Sequence, residues 1–343
     1  MSRVLVTGGS GFLGTSVVAG LAASDAIDCV VSADIRAPNP GVRLPGVLYN
    51  RVDVTEAAGL PELLRRHKID TVVHLASIVN PGKNTTVTEE FAVDVEGSRA
   101  VFAACVKAGV SRIVVSSSGA TYGYHSDNPD WITESDPLRG NDDFPYSKHK
   151  RMVEEMLAEL RTTAPQLSQT IFRIGTVLGP TVDNQITALW DGRRVLKLAG
   201  SDSPFVFVWV DDVVEVMVRA ATGGPSGIFN VAGDGKMTIG EIAQALGKKL
   251  IVLPPWVFAA ALWAGHGLRL TPTSRHRSSF CAIDPCSTIA PFASHLATDR
   301  ARLATKRLPP TLRRMLCAQA ESLVLRFSAP RRSAASTGRA SWS

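Results

Sequence analysis

The sequence predicts an α/β fold: a doubly wound parallel sheet followed by a smaller C-terminal cap. Two observations carry that expectation. Short β-branched runs alternate with helical stretches through the first 120 residues, the texture of βαβ units whose sheet is covered on both faces. A glycine-rich turn, Thr7-Gly8-Gly9-Ser10-Gly11-Phe12-Leu13-Gly14, stands between the first strand and the first helix, where a phosphate-cradling turn belongs in such a sheet.

The strands are expected at 4–6, 29–32, 47–49, 71–75 and 113–116, with helices at about 12–23, 57–67 and 87–108 between them. A long helix over about 145–160 and a strand at 170–174 continue the sheet. Segments at 210–221, 228–231 and 238–246 are expected as shorter elements of a cap that returns to the main body. An apolar helix over 254–270 holds about 13 apolar-rich residues, too few to span a bilayer, and is expected to pack under the cap. The resulting division is a nucleotide-binding Rossmann domain over 1–175, a substrate-binding cap over 176–270, and a basic tail over 271–343.

Length and composition agree with a globular body: 343 residues with 45% hydrophobic content. The net charge of +6 is concentrated in the tail, which carries 12 Lys or Arg against 3 Asp or Glu and leaves the first 270 residues slightly acidic. That body gives no independent support for a nucleic-acid partner. Cys29, Cys105, Cys281, Cys286 and Cys317 are spaced neither as a zinc cluster nor as a disulfide framework, so no metal is expected and the thiols are read as reduced. Met1 leads straight into a strand without a leader segment, which points to the cytoplasm.

In the glycine turn, Gly8 allows the tight bend, Gly11 lets the backbone approach a pyrophosphate, and Gly14 permits close packing of helix on strand. The amides that open the helix, at Phe12, Leu13 and Gly14, then hold the anion. Asp34 ends the second strand about 20 residues after Gly14, where a carboxylate accepts from the adenosine ribose hydroxyls; this favours NAD over NADP. Arg36 leaves a 2′-phosphate open. Asp53 and Val54 are placed to cap the adenine, and Leu75, Ala76 and Ser77 to run beside the second ribose.

Tyr146 and Lys150, in Tyr146-Ser147-Lys148-His149-Lys150, are four apart at the start of a helix and so share one face. A free tyrosine titrates near about 10, too high for a base at neutral pH, whereas a neighbouring ammonium and a positive nicotinamide ring stabilise the phenolate. Tyr146 could then exchange a proton with a substrate hydroxyl while hydride passes to the nicotinamide, and Lys150 would also hold the nicotinamide ribose. Ser116 to Gly123, Ser-Ser-Ser-Gly-Ala-Thr-Tyr-Gly, follows the fifth strand, the place for a hydroxyl that steadies the substrate oxygen. Ser118 is the first choice and Ser117 the second.

With these motifs in view, the chain resembles an extended short-chain dehydrogenase/reductase of the NAD-dependent epimerase/dehydratase family and is similar to the nucleotide-sugar 4-epimerases. The glycine turn, Asp34, Asp53, His74-Leu-Ala-Ser77, the serine run, Pro145-Tyr-Ser-Lys-His-Lys150, Phe172 to Pro180, Val210-Asp-Asp-Val213 and Gly227 to Val231 follow the family's order. The resemblance implies hydride transfer at a secondary alcohol or keto carbon with Ser118, Tyr146 and Lys150 as the catalytic set. In that family the serine four residues before the Tyr-Gly pair is the catalytic one, which selects Ser118 over Ser117. It also implies a homodimer built on the helices around 87–108 and 145–160.

Three departures bear on the substrate. Asp94 replaces the family's usual Asn before Val-x-Gly. Thr176 and Leu178 replace the Asn and Tyr of Asn-Val-Tyr-Gly-Pro. The Arg that clamps a diphosphate ahead of the Val-Asp-Asp stretch is missing, and the segment reads Ser203-Pro-Phe205-Val-Phe207-Val-Trp209. Thr176 and Phe205 are therefore expected as substrate contacts in a more apolar pocket. Beside the sugar-nucleotide reading, this keeps open a hydroxysteroid-type or other lipophilic alcohol dehydrogenase and, from another class, a non-catalytic NAD sensor. The resemblance ends near residue 270, and a shifted reading frame over parts of 280–300 restores family-like sequence. The tail is thus expected to be a frameshift product, with an unstructured natural tail as the alternative.

Overall fold

The computed structural model of the chain describes residues 1–82, 84–179, 192–200, 204–257 and 288–289. The expected helix over 254–270 lies outside the described residues from 258 onward. So do Cys281, Cys286, Cys317 and the tail over 271–343, apart from 288–289.

In chain order the first half runs β1 (Ser2–Thr7), α1 (Phe12–Ala22), β2 (Ile27–Asp34), β3 (Val47–Arg51), α2 (Leu60–Arg66), β4 (Thr71–His74), α3 (Val87–Phe91), α4 (Gly97–Ala108) and β5 (Arg112–Ser118). Then follow β6 (Trp131–Ile132), α5 (Pro145–Thr163), β7 (Ser168–Ile174), β8 (Thr176–Leu178), β9 (Arg194–Leu198), β10 (Pro204–Phe205), β11 (Phe207–Trp209), α6 (Val210–Thr222) and β12 (Gly227–Val231). The last elements are β13 (Met237–Thr238), α7 (Ile239–Ala245), β14 (Lys249–Leu253) and β15 (Thr288–Ile289).

Seven strands form one sheet in the order β12-β7-β5-β4-β1-β2-β3, and every pair is parallel. This is the Rossmann arrangement, whose order reverses between β1 and β4 and opens a crevice there beyond the carboxyl ends of the strands. Alternation within a strand explains why both faces are apolar. Val4 and Val6 of β1 face one core with α1 and α6, through Val17, Val18, Leu21, Val213 and Met217. Leu5 between them faces the other core with α2, α4 and α5, through Leu64, Phe102, Val153 and Leu157.

The chain leaves the sheet after Ile174 and returns to it at β12, beside β7, with α6 packed on α1's face. Residues 210–231, assigned by sequence to the cap, therefore build the sheet's edge and its covering helix. Outside the sheet, β8 pairs with β11, β10 with β13 and β9 with β14. Val195, Met237, Ile242 and Ala243 make a separate small core there with Phe205 and Phe207.

Two helices differ from expectation. A 3-10 turn over Val54–Gly59 precedes α2, because Asp53 caps it and Pro61 starts the α-helix anew. The helix expected over 87–108 is broken at Ala92–Glu96 by a π-turn, which buries Asp94. Among the described residues, no helix is long and apolar enough to cross a membrane, and no group of three or more His, Cys, Asp or Glu is placed to hold a metal ion.

Candidate active site

The glycine turn is built by exclusion of side chains. Gly8 sits at φ +70°, and a Cβ there would lie 2.7 Å from the Ala76 amide nitrogen. A Cβ on Gly14 would collide with the Gly8 carbonyl. The turn thus folds flat against the Leu75-Ala76 backbone, with Leu75 N donating to the Thr7 carbonyl.

Helix α1 opens at Gly11, which offers no capping side chain, and its first turn holds no carboxylate. The amides of Phe12, Leu13 and Gly14 are left with the positive end of the helix dipole. Asp34 is fixed from both sides: Ser10 N donates to Oδ2 at 3.0 Å and Arg36 N donates to Oδ1 at 2.9 Å. An uncapped helix start beside a pre-oriented carboxylate fits the pyrophosphate and ribose of a dinucleotide.

On the third strand's loop, Asp53 turns its Oδ1 back to Thr55 N and Oγ1, at 2.9 and 2.7 Å. Val54 is buried in the core against Gly97.

The second half of the site lies where α5 grips the end of β5. Lys150 Nζ donates to the Ser116 carbonyl at 3.1 Å, Ser147 Oγ donates to the Ala120 carbonyl at 2.6 Å, and Ser117 Oγ donates to Glu154 Oε1 at 2.5 Å. Positions 147, 150 and 154 share one helical face. The clasp fixes Tyr146, half-buried, beside the turn that follows Ser118. The Lys150 ammonium stands 5.7 Å from the centre of the Tyr146 ring.

The clasp also separates the two serine candidates. Ser117 is buried and occupied by Glu154. Ser118, half-buried, accepts from Ala120 N at 3.2 Å and keeps its hydroxyl hydrogen for another partner. Tyr124 and Phe144 continue the aromatic surface to Tyr146, with centroids 6.0 and 6.2 Å apart. Burial raises the Tyr124 phenol above its usual range, and Tyr146 adds to the shift.

His74 is not an acid–base candidate. Its Nδ1 faces Thr7 Oγ1 at 2.7 Å and its Nε2 faces Ser98 Oγ at 2.9 Å. Ser98 donates its own hydrogen to the Asp94 carbonyl, so Nε2 must carry the ring proton and Nδ1 must accept. Burial, with Lys150 as a second cause, pushes the imidazole down to about 3, against an opposing pull from Asp94. His74 is a neutral strut under the glycine turn.

Sequence reasoning gave no role to a network at the foot of the site. Arg173 and Glu154 form a buried ion pair at 2.7 Å, and Arg173 Nη1 donates to Tyr122 Oη, which donates to Asn230 Oδ1 at 2.7 Å. Burial pushes the Tyr122 phenol up to about 12 despite Arg173. The spacing of Glu154 from Ser147 and Lys150 was the only local sign of it.

The expected substrate residues lie on the cap side. Thr176 is half-buried at the start of β8, its amide donating to the Val206 carbonyl at 3.1 Å. Phe205 stacks on Phe207 at 6.4 Å and 11°, against the cap's core.

A profile of the NAD dependent epimerase/dehydratase family matches residues 4–232. The chain belongs to that family. It is accordingly an NAD-dependent enzyme, and the glycine turn with Asp34 is the part of its structure that suits NAD. This family member is 30% identical over 276 residues to the UDP-glucose 4-epimerase of Neisseria gonorrhoeae, spanning 71% of this chain and 81% of that protein. It is 28% identical over 269 residues to an uncharacterized protein of Mycobacterium tuberculosis, spanning 78% and 70%.

Among solved structures, the dTDP-glucose 4,6-dehydratase of Streptomyces venezuelae, solved with NAD and TYD bound, matches with TM-score 0.60 at 25% identity over 74% of this chain and 84% of its own. The Thermus thermophilus UDP-glucose 4-epimerase, solved with NAD, matches with TM-score 0.60 at 24% identity over 83% and 98%, a likeness of fold.

Proposed function

We propose that this chain reversibly oxidises a secondary alcohol, or reduces the matching ketone, on a sugar-nucleotide-like substrate, with Ser118, Tyr146 and Lys150 as its catalytic set. The observation that carries the reading is the three-point clasp of α5 on β5, through Ser147, Lys150 and Glu154, which draws Tyr146 and Lys150 to the serine at the strand's end. UDP-glucose 4-epimerases among the relatives support the substrate class.

NAD supplies the hydride acceptor and donor. The amides of α1 and the Asp34 carboxylate hold its pyrophosphate and adenosine ribose, Asp53 and Val54 border the adenine, and Leu75, Ala76, Ser77 and Lys150 border the nicotinamide ribose. Tyr146 takes the proton of the substrate hydroxyl as the carbon is oxidised and returns it on reduction. Lys150 stabilises the phenolate, and Ser118 donates to the substrate oxygen. The homodimer and the cytoplasmic location expected from sequence belong to the same proposal.

The stacked Phe205 and Phe207 favour a second reading, oxidation of a lipophilic cyclic alcohol. One experiment weighs these readings: purified protein with NAD against a panel of UDP- and dTDP-sugars and hydroxysteroids, followed by NADH absorbance and by product analysis for redox-neutral epimerisation. Tyr146→Phe is expected to lower kcat on the accepted substrate by about 10²–10⁴-fold. Turnover unchanged by Tyr146→Phe removes that residue from the catalytic set, and no turnover with either class overturns both substrate readings.

A further inference from the structure

Asp94 is almost wholly buried, yet it lies on the π-turn between α3 and α4, and its carboxylate binds residues from other elements. Its Oδ1 accepts from Ser77 Oγ at 2.9 Å and from Ile78 N at 2.8 Å, on the loop after β4. Its Oδ2 faces His149 Nδ1 at 3.2 Å, with both side chains 3% exposed. A carboxylate oxygen can only accept, so Nδ1 carries the hydrogen.

The His149 ring stands edge-on to Phe91 at 5.6 Å, which fixes its plane from the other side. His149 adjoins Lys150 and lies one helical turn after Tyr146. A single buried carboxylate therefore joins the loop bordering the nicotinamide ribose to the helix bearing the proton-transfer pair. Burying such a group is costly unless it is hydrogen-bonded, and here, among the described residues, three hydrogen bonds reach it from those two elements.

We propose that Asp94 and His149 are a positioning pair that sets the nicotinamide half of the cofactor site against Tyr146 and Lys150. The inference rests on the cofactor geometry proposed above. The irregular turn agrees with this role: Asp94 is buried on the π-turn between α3 and α4, where the Ser77 loop and His149 both reach it. The pair does not touch the adenosine half, which Asp34 and the α1 amides serve.

NADH and ADP separate the two halves. Asn at 94 keeps its oxygen on Ser77 and Ile78 and offers its amide to His149 in the opposite tautomer, so Asp94→Asn is expected to bind both ligands as the unaltered protein does. Asp94→Asn/His149→Phe cuts the link to α5 without stranding a charge. It is expected to weaken NADH about tenfold, the size of one hydrogen bond, and to dim the bound nicotinamide fluorescence, with ADP affinity unchanged. NADH bound as tightly by the double variant as by Asp94→Asn overturns the inference, as does a loss of ADP affinity in step with NADH, which marks a purely structural pair. Neither result depends on turnover, so a failure of the Tyr146 reading is told apart by Tyr146→Phe with NADH binding intact.

Discussion

Ser117 and Ser118 are neighbours on one strand, and alternation sends their side chains to opposite faces. Ser117 meets Glu154 in the core, and Ser118 stays at the strand's open end. Ser118→Ala is expected to cut kcat by about 10²-fold or more, the scale of losing one donor to a developing oxyanion, with a stability loss of about 1 kcal/mol or less from the bond Ala120 N gives it. Ser117→Ala is expected to do the reverse, costing about 1.5–3 kcal/mol of stability through the lost hydrogen bond to the buried Glu154 carboxylate while sparing kcat. Steady-state kinetics and urea titration of both variants check this; a kinetic defect in Ser117→Ala alone would exchange their roles. At this scale the sequence was legible where residues sit close together. Tyr146 and Lys150 are four apart, and the glycines fall within one turn. Asp94 with His149, 55 residues apart, left no local pattern, and Asp94 stood out in sequence only as a departure from the family.

At the scale of elements, the strand-helix alternation was readable because the inner strands β1, β2, β4, β5 and β7 are apolar on both faces. The π-turn at Ala92–Glu96 was not, because its cause is tertiary: Asp94 is drawn inward by the Ser77 loop and by His149. The ion pair of Arg173 on β7 with Glu154 on α5 was hidden in the same way, since a glutamate on an amphipathic helix ordinarily faces water. Both side chains are almost wholly buried, so removing one leaves a stranded charge. Arg173→Met is expected to destabilise the fold by about 3–5 kcal/mol. The double variant Arg173→Met/Glu154→Leu is expected to recover most of that loss, because it strands no charge. Chemical denaturation of the two variants distinguishes them, and a double variant no more stable than the single one would show that the pair's hydrogen bonds to Ser117, Thr121 and Tyr122 matter more than its charges.

For the molecule as a whole, the strands of the sheet were legible in sequence up to β7, but the return of β12 to that sheet was not. A strand's partner is fixed by packing across the sheet, and Gly227 to Val231 is as apolar as a cap strand would be. The same long-range burial gives the fold an acid limit. His74 stands between β1, through Thr7, and α4, through Ser98, and must be neutral to serve both. Its imidazole titrates near 6.5 in the unfolded chain and is pushed down to about 3 by burial in the folded one. Between those values the unfolded state binds a proton that the folded state refuses. Stability is therefore fully present above pH 6.5 and falls as the pH drops toward 3, by about 1.4 kcal/mol per pH unit from this residue alone. His74→Gln can hold similar hydrogen bonds without a titrating ring. Urea unfolding measured from pH 7.5 to pH 4 is expected to give a steeper decline for the unaltered protein than for His74→Gln, with the two curves parallel only above the imidazole's ordinary range. Curves parallel throughout would mean that the ring gains its proton in the fold, and that the strut between Thr7 and Ser98 tolerates a cation beside Lys150.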